Sequence, residues 1–317
     1  MRLSVIGCGR WGTFLAWYLD HIGHEVCLYG RPQSEKMAQL ERTRKNEYLT
    51  LPESVQLTDE MTRAMQNDTI LVSVPSQSLR ALMHGLQNYT EKIYVLCMKG
   101  IEIGTGKRLS EIVAEEAGAR CRSAVWLGPG HAQDFLRGVP NCMVIDAEHK
   151  EDKERLVETF SSDLIRFYYG EDLIGNEIGA AAKNVVGIAA GMLDGFGLTS
   201  LKGPLMSRGT REVARLILAL GGNELSAYGL CHLGDYEATV FSPHSHNHSF
   251  GLHVAQGREY TQLAEGYYTV RALMTLAGKH GVELPICGAV SGILYEDIPP
   301  QEALNLLFSR SLKQEFN

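Results

Sequence analysis

Short apolar runs recur along the first half of the chain, and segments whose apolar residues have helical spacing separate them. The runs are continuous rather than alternating, which is typical of strands buried on both faces of a sheet. They cover residues 3–6, 25–29, 69–74, 93–98, 124–127 and 141–145. Continuous strands that alternate with helices predict an α/β fold with a doubly wound parallel sheet.

The strand pattern stops after about residue 169, and the rest of the chain is rich in alanine, leucine and glycine. Its apolar spacing predicts helices over 172–193, 206–220, 257–280 and 300–313. We therefore predict two domains: a sheet domain over residues 1–170 and an all-helical domain over residues 171–317.

Composition narrows the class of protein. The 317 residues are 44% hydrophobic and 21% charged, with a net charge of −7, which argues against nucleic acid as a main partner. No apolar run reaches the roughly 18 residues that span a bilayer, and the N-terminal run is too short for a signal peptide. We expect a cytoplasmic protein. The seven cysteines lack C-x-x-C spacing, which is typical of buried reduced thiols.

A glycine-rich loop follows the first predicted strand. Gly7, Gly9 and Gly12 form G-x-G-x-x-G ahead of a predicted helix over 13–22 and a second strand. The first glycine allows a tight turn, the second lets backbone approach a pyrophosphate, and the third lets the helix pack on the strand. A turn without a ligand is the alternative, but this setting favours a Rossmann dinucleotide-binding domain.

Arg31 follows the second strand, where NAD-selective sites usually have an acidic residue for the ribose hydroxyls. An arginine there suits a 2′-phosphate, so we favour NADP over NAD as the cofactor. An exposed loop arginine without that role is the alternative.

One helix-like segment, residues 175–197, consists almost wholly of small and apolar residues and has Lys183 in its middle. Glycines recur at every fourth position around this lysine, so the same helix face has little side chain. Such a face admits either a closely packed helix or a ligand, and we favour room for a small substrate and a nicotinamide ring. A lysine among apolar residues suits proton transfer near neutral pH.

Ligands of doubly wound sheets bind beyond the carboxyl ends of the strands. Pro75, Lys99 and Gly128 follow predicted strands at that edge. Lys99 is therefore a candidate site residue, and a solvated lysine after a strand is the alternative.

The sequence resembles the bacterial-type NAD(P)-dependent glycerol-3-phosphate dehydrogenases over nearly its whole length. The matching motifs have the order and spacing of that family: GCGRWGT near the start, SVPSQSLR at 73–80, KGIE at 99–102, GPGHA at 128–132, GAAAKNVVGIAAGMLDGFG at 179–197, SRG at 207–209, LGDYEAT at 233–239, SHNHSFG at 245–251 and AEG at 264–266. The resemblance implies reversible reduction of dihydroxyacetone phosphate to sn-glycerol 3-phosphate, which supplies phospholipid synthesis. It implies a small phosphorylated triose as substrate and is compatible with a homodimer.

The resemblance also implies roles for single residues. Lys183 matches the lysine that exchanges a proton with the oxygen on carbon 2, and Lys99 and Asp235 complete the expected catalytic set. The expected cofactor contacts are Gly7, Gly9, Arg10, Trp11, Gly12, Arg31, Pro75, Lys99, Ala132, His246, Leu263 and Glu265. The expected substrate contacts are Lys99, Gly128, Gly130, Lys183, Asp235, Thr239, Ser245, His246 and Asn247.

Two positions depart from the family pattern. Gly130 stands where the family usually has a serine, so a substrate-facing hydroxyl is missing. His246 stands in place of the arginine of a Ser-Arg-Asn phosphate-binding segment. Histidine is only partly charged at neutral pH, so we expect weaker phosphate binding above about pH 7, unless His131, His244 or His248 compensates.

Three alternatives follow from these departures. An extended H-x-H-x-H run at His244, His246 and His248 could converge on a metal, but no cysteine or paired carboxylate accompanies it and we predict no metal. A related dehydrogenase acting on another small keto or hydroxy compound is a second reading. A non-catalytic NADPH-binding protein is a third, although it would have no use for Lys99, Lys183 and Asp235 together.

Overall fold

The computed structural model describes residues 1–242, 245–311 and 314–315. The chain divides into two compact units, residues 1–100 with 107–177 and residues 101–106 with 178–317. We keep the predicted limits of 1–170 and 171–317 as a proposal for the functional domains.

The first unit is built on an eight-stranded sheet with the strand order β3-β2-β1-β4-β5-β6-β7-β8. The strands are β1 Arg2–Ile6, β2 Glu25–Tyr29, β3 Gln56–Thr58, β4 Thr69–Val72, β5 Ile93–Leu96, β6 Arg122–Leu127, β7 Asn141–Ala147 and β8 Ile165–Tyr169. Its helices are α1 Arg10–His21, α2 Glu35–Thr43, α3 Met61–Ala64, α4 Leu79–Gly85, α5 Leu109–Glu116, α6 Ala132–Leu136 and α7 Lys150–Phe160. All six predicted strands are present, and the α/β prediction is confirmed.

The sheet is not wholly parallel, because β7 runs antiparallel to β6. The connection between them, residues 128–140, contains only the five-residue helix α6. A parallel neighbour needs a crossover long enough to carry the chain back along the sheet, which usually takes a full helix. The apolar run of β7, residues 142–145, would suit a strand parallel to β6 as well as an antiparallel one. The sequence therefore did not predict this reversal.

The sequence analysis missed the two edge strands. The strand β3 has only three residues, and β8 has the side chains of Tyr168 and Tyr169 exposed. Ile165 and Phe167 face the core, where the Phe167 ring meets Trp126 edge-on at 4.7 Å between centroids. Edge strands bury one face only, so they lack the continuous apolar run that marks the central strands.

The second unit is helical among its described residues. It contains most of α8 Leu173–Gly195, then α9 Lys202–Ala219, α10 His246–Ala255, α11 Glu265–His280, α12 Pro285–Tyr295 and α13 Pro300–Phe308, with a π-helical turn at Glu237–Phe241 between α9 and α10. None of the described helices, in either unit, combines the length and apolar character needed to cross a membrane.

Three predicted helix boundaries are wrong, and the first is the start of α9, which is Lys202 rather than residue 206. The helix predicted over 257–280 begins only at Glu265, because Gly257 adopts φ of +63° and follows the end of α10. Glycine in this left-handed conformation commonly terminates helices. The last helix ends at Phe308, and residues 312 and 313 of its predicted span lie outside the described residues.

The glycines of α8 serve helix packing, which corrects the expectation that they leave room for substrate and nicotinamide. A Cβ at Gly191 would lie 2.0 Å from the carbonyl oxygen of His248, and a Cβ at Gly251 would lie 2.0 Å from that of Ile188. The helices α8 and α10 therefore cross with backbone against backbone. A Cβ at Gly187 would lie 2.5 Å from the Thr239 methyl group. The glycine face of α8 therefore packs closely against its neighbours, as the alternative prediction stated.

Each unit also contains a buried glutamate that caps the start of a helix. Glu212 accepts hydrogen bonds from the N–H groups of Ile286 and Cys287 at 2.8 and 3.0 Å, at the first turn of α12. Glu177 does the same for α5, accepting from the N–H of Ser110 at 2.9 Å and from Arg108 at 2.7 Å. Burial raises the pKa of Glu212, and the backbone donors oppose that rise.

We expect Glu212→Ala to lower the free energy of unfolding by about 3 kcal/mol, because two buried N–H groups lose their acceptor. Glu212→Gln keeps one acceptor and should cost less. Urea titration monitored by circular dichroism measures both. Glu302→Ala, at an exposed position in the first turn of α13, is the matched control. Equal losses at positions 212 and 302 would contradict the capping role.

Candidate active site

The glycine loop joins β1 to α1. Gly7 has φ of +114°, and a Cβ there would lie 2.1 Å from the carbonyl oxygen of Ser73. A Cβ at Gly12 would lie 1.8 Å from the carbonyl oxygen of Gly7, whereas a Cβ at Gly9 would meet nothing within 4 Å. Two glycines thus let the loop, strand and helix pack closely, and Gly9 leaves open space beside the first turn of α1.

That open space suits a pyrophosphate. Gly9 is the N-cap of α1 and supplies no capping side chain, so the N–H groups of the first turn keep their capacity for an anion. The positive end of the helix dipole favours the same charge. The residues present therefore fit the phosphates of a nicotinamide dinucleotide.

Arg10 and Trp11 open α1 next to the loop. The Arg10 guanidinium lies 5.8 Å from the centroid of the Tyr48 ring. Trp11 packs against Phe14 and Phe135, with centroid distances of 4.9 and 6.4 Å. Its ring therefore belongs to the edge of the core, and its backbone lies in the first turn of α1.

The other predicted cofactor residues of this unit lie near the carboxyl ends of the strands. Arg31 is exposed after β2, and Pro75 is exposed after β4. Ala132 is buried at the first residue of α6. Ser34 lies just beyond Arg31 and caps α2, so the loop after β2 has a fixed path.

Lys99 joins the ends of β5 and β6. It is half-buried, and its Nζ donates to the carbonyl oxygen of Gly128 at 2.8 Å. Gly130 has φ of +145°, and a Cβ there would lie 2.4 Å from the ring of Phe135. A serine at this position would clash with Phe135.

Lys183 forms the centre of the site in the second unit. It is 7% exposed, and its Nζ lies 3.0 Å from Oδ2 of Asp235 and donates to Oγ1 of Thr239 at 2.5 Å. Thr239 in turn donates to the carbonyl oxygen of Asp235 at 2.9 Å. A buried ammonium costs several kcal/mol unless a partner offsets it, and the fully buried Asp235 is that partner.

Asp235 and Thr239 belong to two irregular turns that follow α9. Asp235 ends a 3-10 turn, Leu233–Asp235, and Thr239 lies in the π-helical turn. Turns of the π type are rare and occur often at functional sites. Here the two turns direct a carboxylate and a hydroxyl at the same lysine.

His232 supports this arrangement, and sequence reasoning did not find it. Its Nδ1 donates to the carbonyl oxygen of Gly179 at 2.8 Å, and its Nε2 accepts from the Tyr236 hydroxyl at 2.7 Å. The side chain is fully buried, and burial lowers the pKa of His232 to about 4, with the Lys183 charge adding to the effect. The neutral ring therefore ties α8 to the turns that hold Asp235 and Thr239.

The predicted phosphate segment forms the start of α10. Ser245 is the N-cap, and its Oγ accepts from the N–H of His248 at 3.3 Å. His246 Nδ1 lies 2.8 Å from the hydroxyl of Tyr260. The hydroxyl of Ser245 thus completes a helix cap, a role that the sequence analysis did not anticipate.

Asn247, on α10, bonds to both α8 and α11. Its Nδ2 donates to Oδ1 of Asn184 at 3.0 Å, and its Oδ1 accepts from the N–H of Gly266 at 2.9 Å. Asn184 follows Lys183 directly in α8, so this bond anchors the lysine's own turn. Its position next to Lys183 was the only feature of the sequence that could have indicated a role for Asn184.

Glu265 and Leu263 lie at the start of α11. Glu265 is its first residue and is half-buried, and Leu263 is 46% exposed just before it. Their cofactor contacts stay a prediction.

The assumption of an extended histidine run is wrong from residue 246 onward, because His246 and His248 lie in the first turn of α10. They contact Tyr260 and Asp194 respectively rather than a common point. His244 lies outside the described residues. No group of three potential metal ligands occurs within the part of the chain that the structure describes.

An apolar groove of 610 Å³ occupies another part of the second unit, with walls from α8, α9, α12 and α13. Its lining includes neither Lys183 nor Asp235, so we do not assign it to the site.

A Rossmann sheet with its glycine loop, followed by helices that enclose a paired lysine, defines the class of two-unit dinucleotide-binding proteins. The models of the N-terminus and the C-terminus of NAD-dependent glycerol-3-phosphate dehydrogenase match residues 2–153 and 172–305. The chain therefore belongs to the NAD-dependent glycerol-3-phosphate dehydrogenase family.

Individual relatives agree with this assignment. The chain is 36% identical to glycerol-3-phosphate dehydrogenase (NAD(P)+) from Pelodictyon phaeoclathratiforme, covering 99% of each chain. It is 37% identical to the enzyme of that name from Streptomyces griseus, covering 99% of this chain and 98% of the relative. A crystal structure of glycerol-3-phosphate dehydrogenase from Coxiella burnetii superposes with a TM-score of 0.91 at 28% identity, covering 98% of this chain and 99% of the other.

We expect stability to fall by about 2 kcal/mol between pH 7 and pH 5 on account of His232 alone. Its pKa in the folded chain is about 4 against an ordinary 6.5, so the unfolded chain binds the proton first as the pH falls. This contribution is present above pH 6.5 and is lost as the pH falls towards 4. Urea titrations at both pH values measure it.

His232→Gln should flatten this pH dependence, whereas the exposed control His21→Gln should leave it as in the wild type. A pH dependence that stays as steep in His232→Gln as in the wild type would contradict the assignment.

Proposed function

We propose that the chain catalyses the reversible NAD(P)H-dependent reduction of dihydroxyacetone phosphate to sn-glycerol 3-phosphate. The observation that carries the proposal is the buried contact of Lys183 with Asp235 and Thr239, in a chain whose relatives are named for this activity. We place the reaction in the cytoplasm, where it supplies glycerol phosphate for phospholipid synthesis.

The proton is the part of the reaction that this chain's own residues control. A bound nicotinamide cofactor supplies the hydride for carbon 2 of the ketone. Negative charge then grows on the carbonyl oxygen, and the Lys183 ammonium stabilises that charge and gives its proton to the oxygen. Asp235 keeps the ammonium in place, and Thr239 fixes the direction of its remaining N–H bonds. Lys99 is a second proposed cationic contact for the substrate.

The proposed cofactor site uses the glycine loop and the edge of the sheet. The open space at Gly9 and the uncapped first turn of α1 support pyrophosphate binding. Arg31 is exposed after β2 and suits the 2′-phosphate of NADP. Both NAD and NADP are named in the relatives' activity, and we propose a preference for NADP.

The substrate phosphate is where this chain departs most from its family. His246 is proposed to contact it at the start of α10, where the helix dipole favours an anion. An imidazole there would bind the phosphate less firmly than an arginine, because it lacks the bidentate geometry of a guanidinium. A related dehydrogenase of another small keto compound is the second candidate, and the altered packing at Gly130 together with His246 favours it.

We expect Lys183→Met combined with Asp235→Asn to lower kcat by about 100-fold or more, because the proton donor is lost without leaving an unpaired buried carboxylate. Stopped-flow oxidation of NADPH with dihydroxyacetone phosphate measures it. NADPH binding followed by fluorescence should persist in the variant.

Lys107→Met, at a lysine that pairs with Glu115 on α5, is the control and should keep wild-type kcat. A wild-type protein that binds NADPH but turns over no dihydroxyacetone phosphate would overturn the proposal. Turnover of another keto compound would then favour the second candidate. If no compound of a substrate panel is turned over, the result would favour a non-catalytic protein.

We expect Arg31→Gln to weaken NADPH binding about tenfold and to leave NADH binding unchanged, because only NADPH has the 2′-phosphate. Fluorescence titration with both cofactors measures the two dissociation constants. Arg42→Gln, at an exposed residue in the last turn of α2, is the matched control. Equal weakening of both cofactors would argue against the NADP preference.

A further inference from the structure

Four polar side chains form a cluster beside the end of α8 that the proposed chemistry does not use. The Asp194 cluster consists of Asp194, Thr199, Lys202 and His248. Lys202 Nζ and His248 Nε2 both bond to Oδ2 of Asp194, the histidine at 2.7 Å, and Thr199 donates to Oδ1 at 2.8 Å. Burial raises the pKa of Asp194, but these three donors outweigh it and hold the pKa below its usual value.

Lys202 extends the cluster to the turn that carries Thr239. Its side chain is buried, and its Nζ donates to the carbonyl oxygen of Val240 at 3.2 Å. The same Nζ lies 5.2 Å from the centroid of the Phe241 ring. Carbonyl groups at the end of a helical turn lack partners within it, and Lys202 supplies one here.

The histidine of the cluster links the start of α10 to Asp194. His248 is the third residue of α10, in the turn that follows the cap residue Ser245. Val240, through Lys202, and His248, directly, are therefore both linked to Asp194, on the helix that also carries Lys183. The cluster thus fixes the positions of Val240 and His248 along α8.

We infer that Lys202, held by Asp194, is a positioning residue that keeps the Thr239 hydroxyl within hydrogen-bond reach of Lys183 Nζ. A π turn differs from an α turn by one residue, so rewinding it would rotate Thr239 by roughly 100° about the helix axis. The bond from Lys202 to Val240 opposes that rewinding. This inference rests on the proposed function, because it gives Lys202 its purpose through proton transfer by Lys183.

The test is steady-state kinetics of the full chain carrying Lys202→Met, with NADPH and dihydroxyacetone phosphate. We expect kcat to fall about tenfold, because the contact of Thr239 with Lys183 matters most when the proton moves. The KM for NADPH should stay within about twofold, because Lys202 bonds to Val240, which is none of the predicted cofactor contacts. Lys202→Arg keeps the charge and the donors and should restore most of kcat.

Lys153→Met is the matched control. Lys153 is also a largely buried lysine that pairs with an aspartate, Asp146 at 3.5 Å, and donates to a backbone carbonyl, that of Gly170, but it lies in the first unit. Its loss should lower thermal stability without changing kcat of the folded protein. Circular dichroism at the assay temperature corrects both variants for unfolded protein.

A second variant tests the coupling inside the cluster. Asp194→Asn should lower kcat as Lys202→Met does, and the double variant should lose little more, because the two residues act as a unit. Independent, multiplicative losses would overturn the inference.

Further outcomes would also overturn the inference. A folded Lys202→Met protein with kcat within twofold of wild type overturns the inference and leaves the proposed function intact. So does a kcat that Lys202→Arg fails to restore, or a loss explained by the unfolded fraction alone. A wild-type protein without turnover overturns both the proposed function and this inference.

Discussion

The buried ion pair of Lys183 and Asp235 is the interaction on which the second unit is organised. An ammonium in an apolar helix bundle is costly, and its carboxylate partner must be held at hydrogen-bonding distance. The surrounding structure meets that requirement. A neutral histidine, a threonine and an asparagine hold the carboxylate's turns and the lysine's turn together, and each of these groups has its own hydrogen-bond partner.

Backbone contact provides the rest of the rigidity. The helices α8 and α10 meet through Gly191 and Gly251, each against a carbonyl oxygen of the other helix. The glycine pattern of α8 therefore has a structural cause, although its position around Lys183 suggests a functional one. In the first unit glycine has two different uses, close packing at Gly7 and Gly12 and open space at Gly9.

The sequence predicted the central strands, the glycine loop and the helix of Lys183, because each has a local pattern. It did not predict the direction of β7, which depends on a short connection, or the edge strands, which bury one face only. Glycines at close contacts and glycines beside ligands look alike in sequence. The contacts of Lys183 with Asp235 and Thr239 join residues more than 50 positions apart, and only the family resemblance suggested them. Asp194 lies in the matching motif at 179–197, but nothing in the sequence indicated its contact with Lys202.

The backbone crossing of α8 and α10 has a consequence for how this chain has diverged. Since main-chain atoms set the distance between the helices, the side chain of His246, which bonds to Tyr260 outside both helices, can change without moving the helix that carries Lys183. A histidine at residue 246 in place of arginine is such a change. On the proposed function, the contact of residue 246 with the substrate phosphate can therefore be altered by selection while the place of Lys183 is preserved.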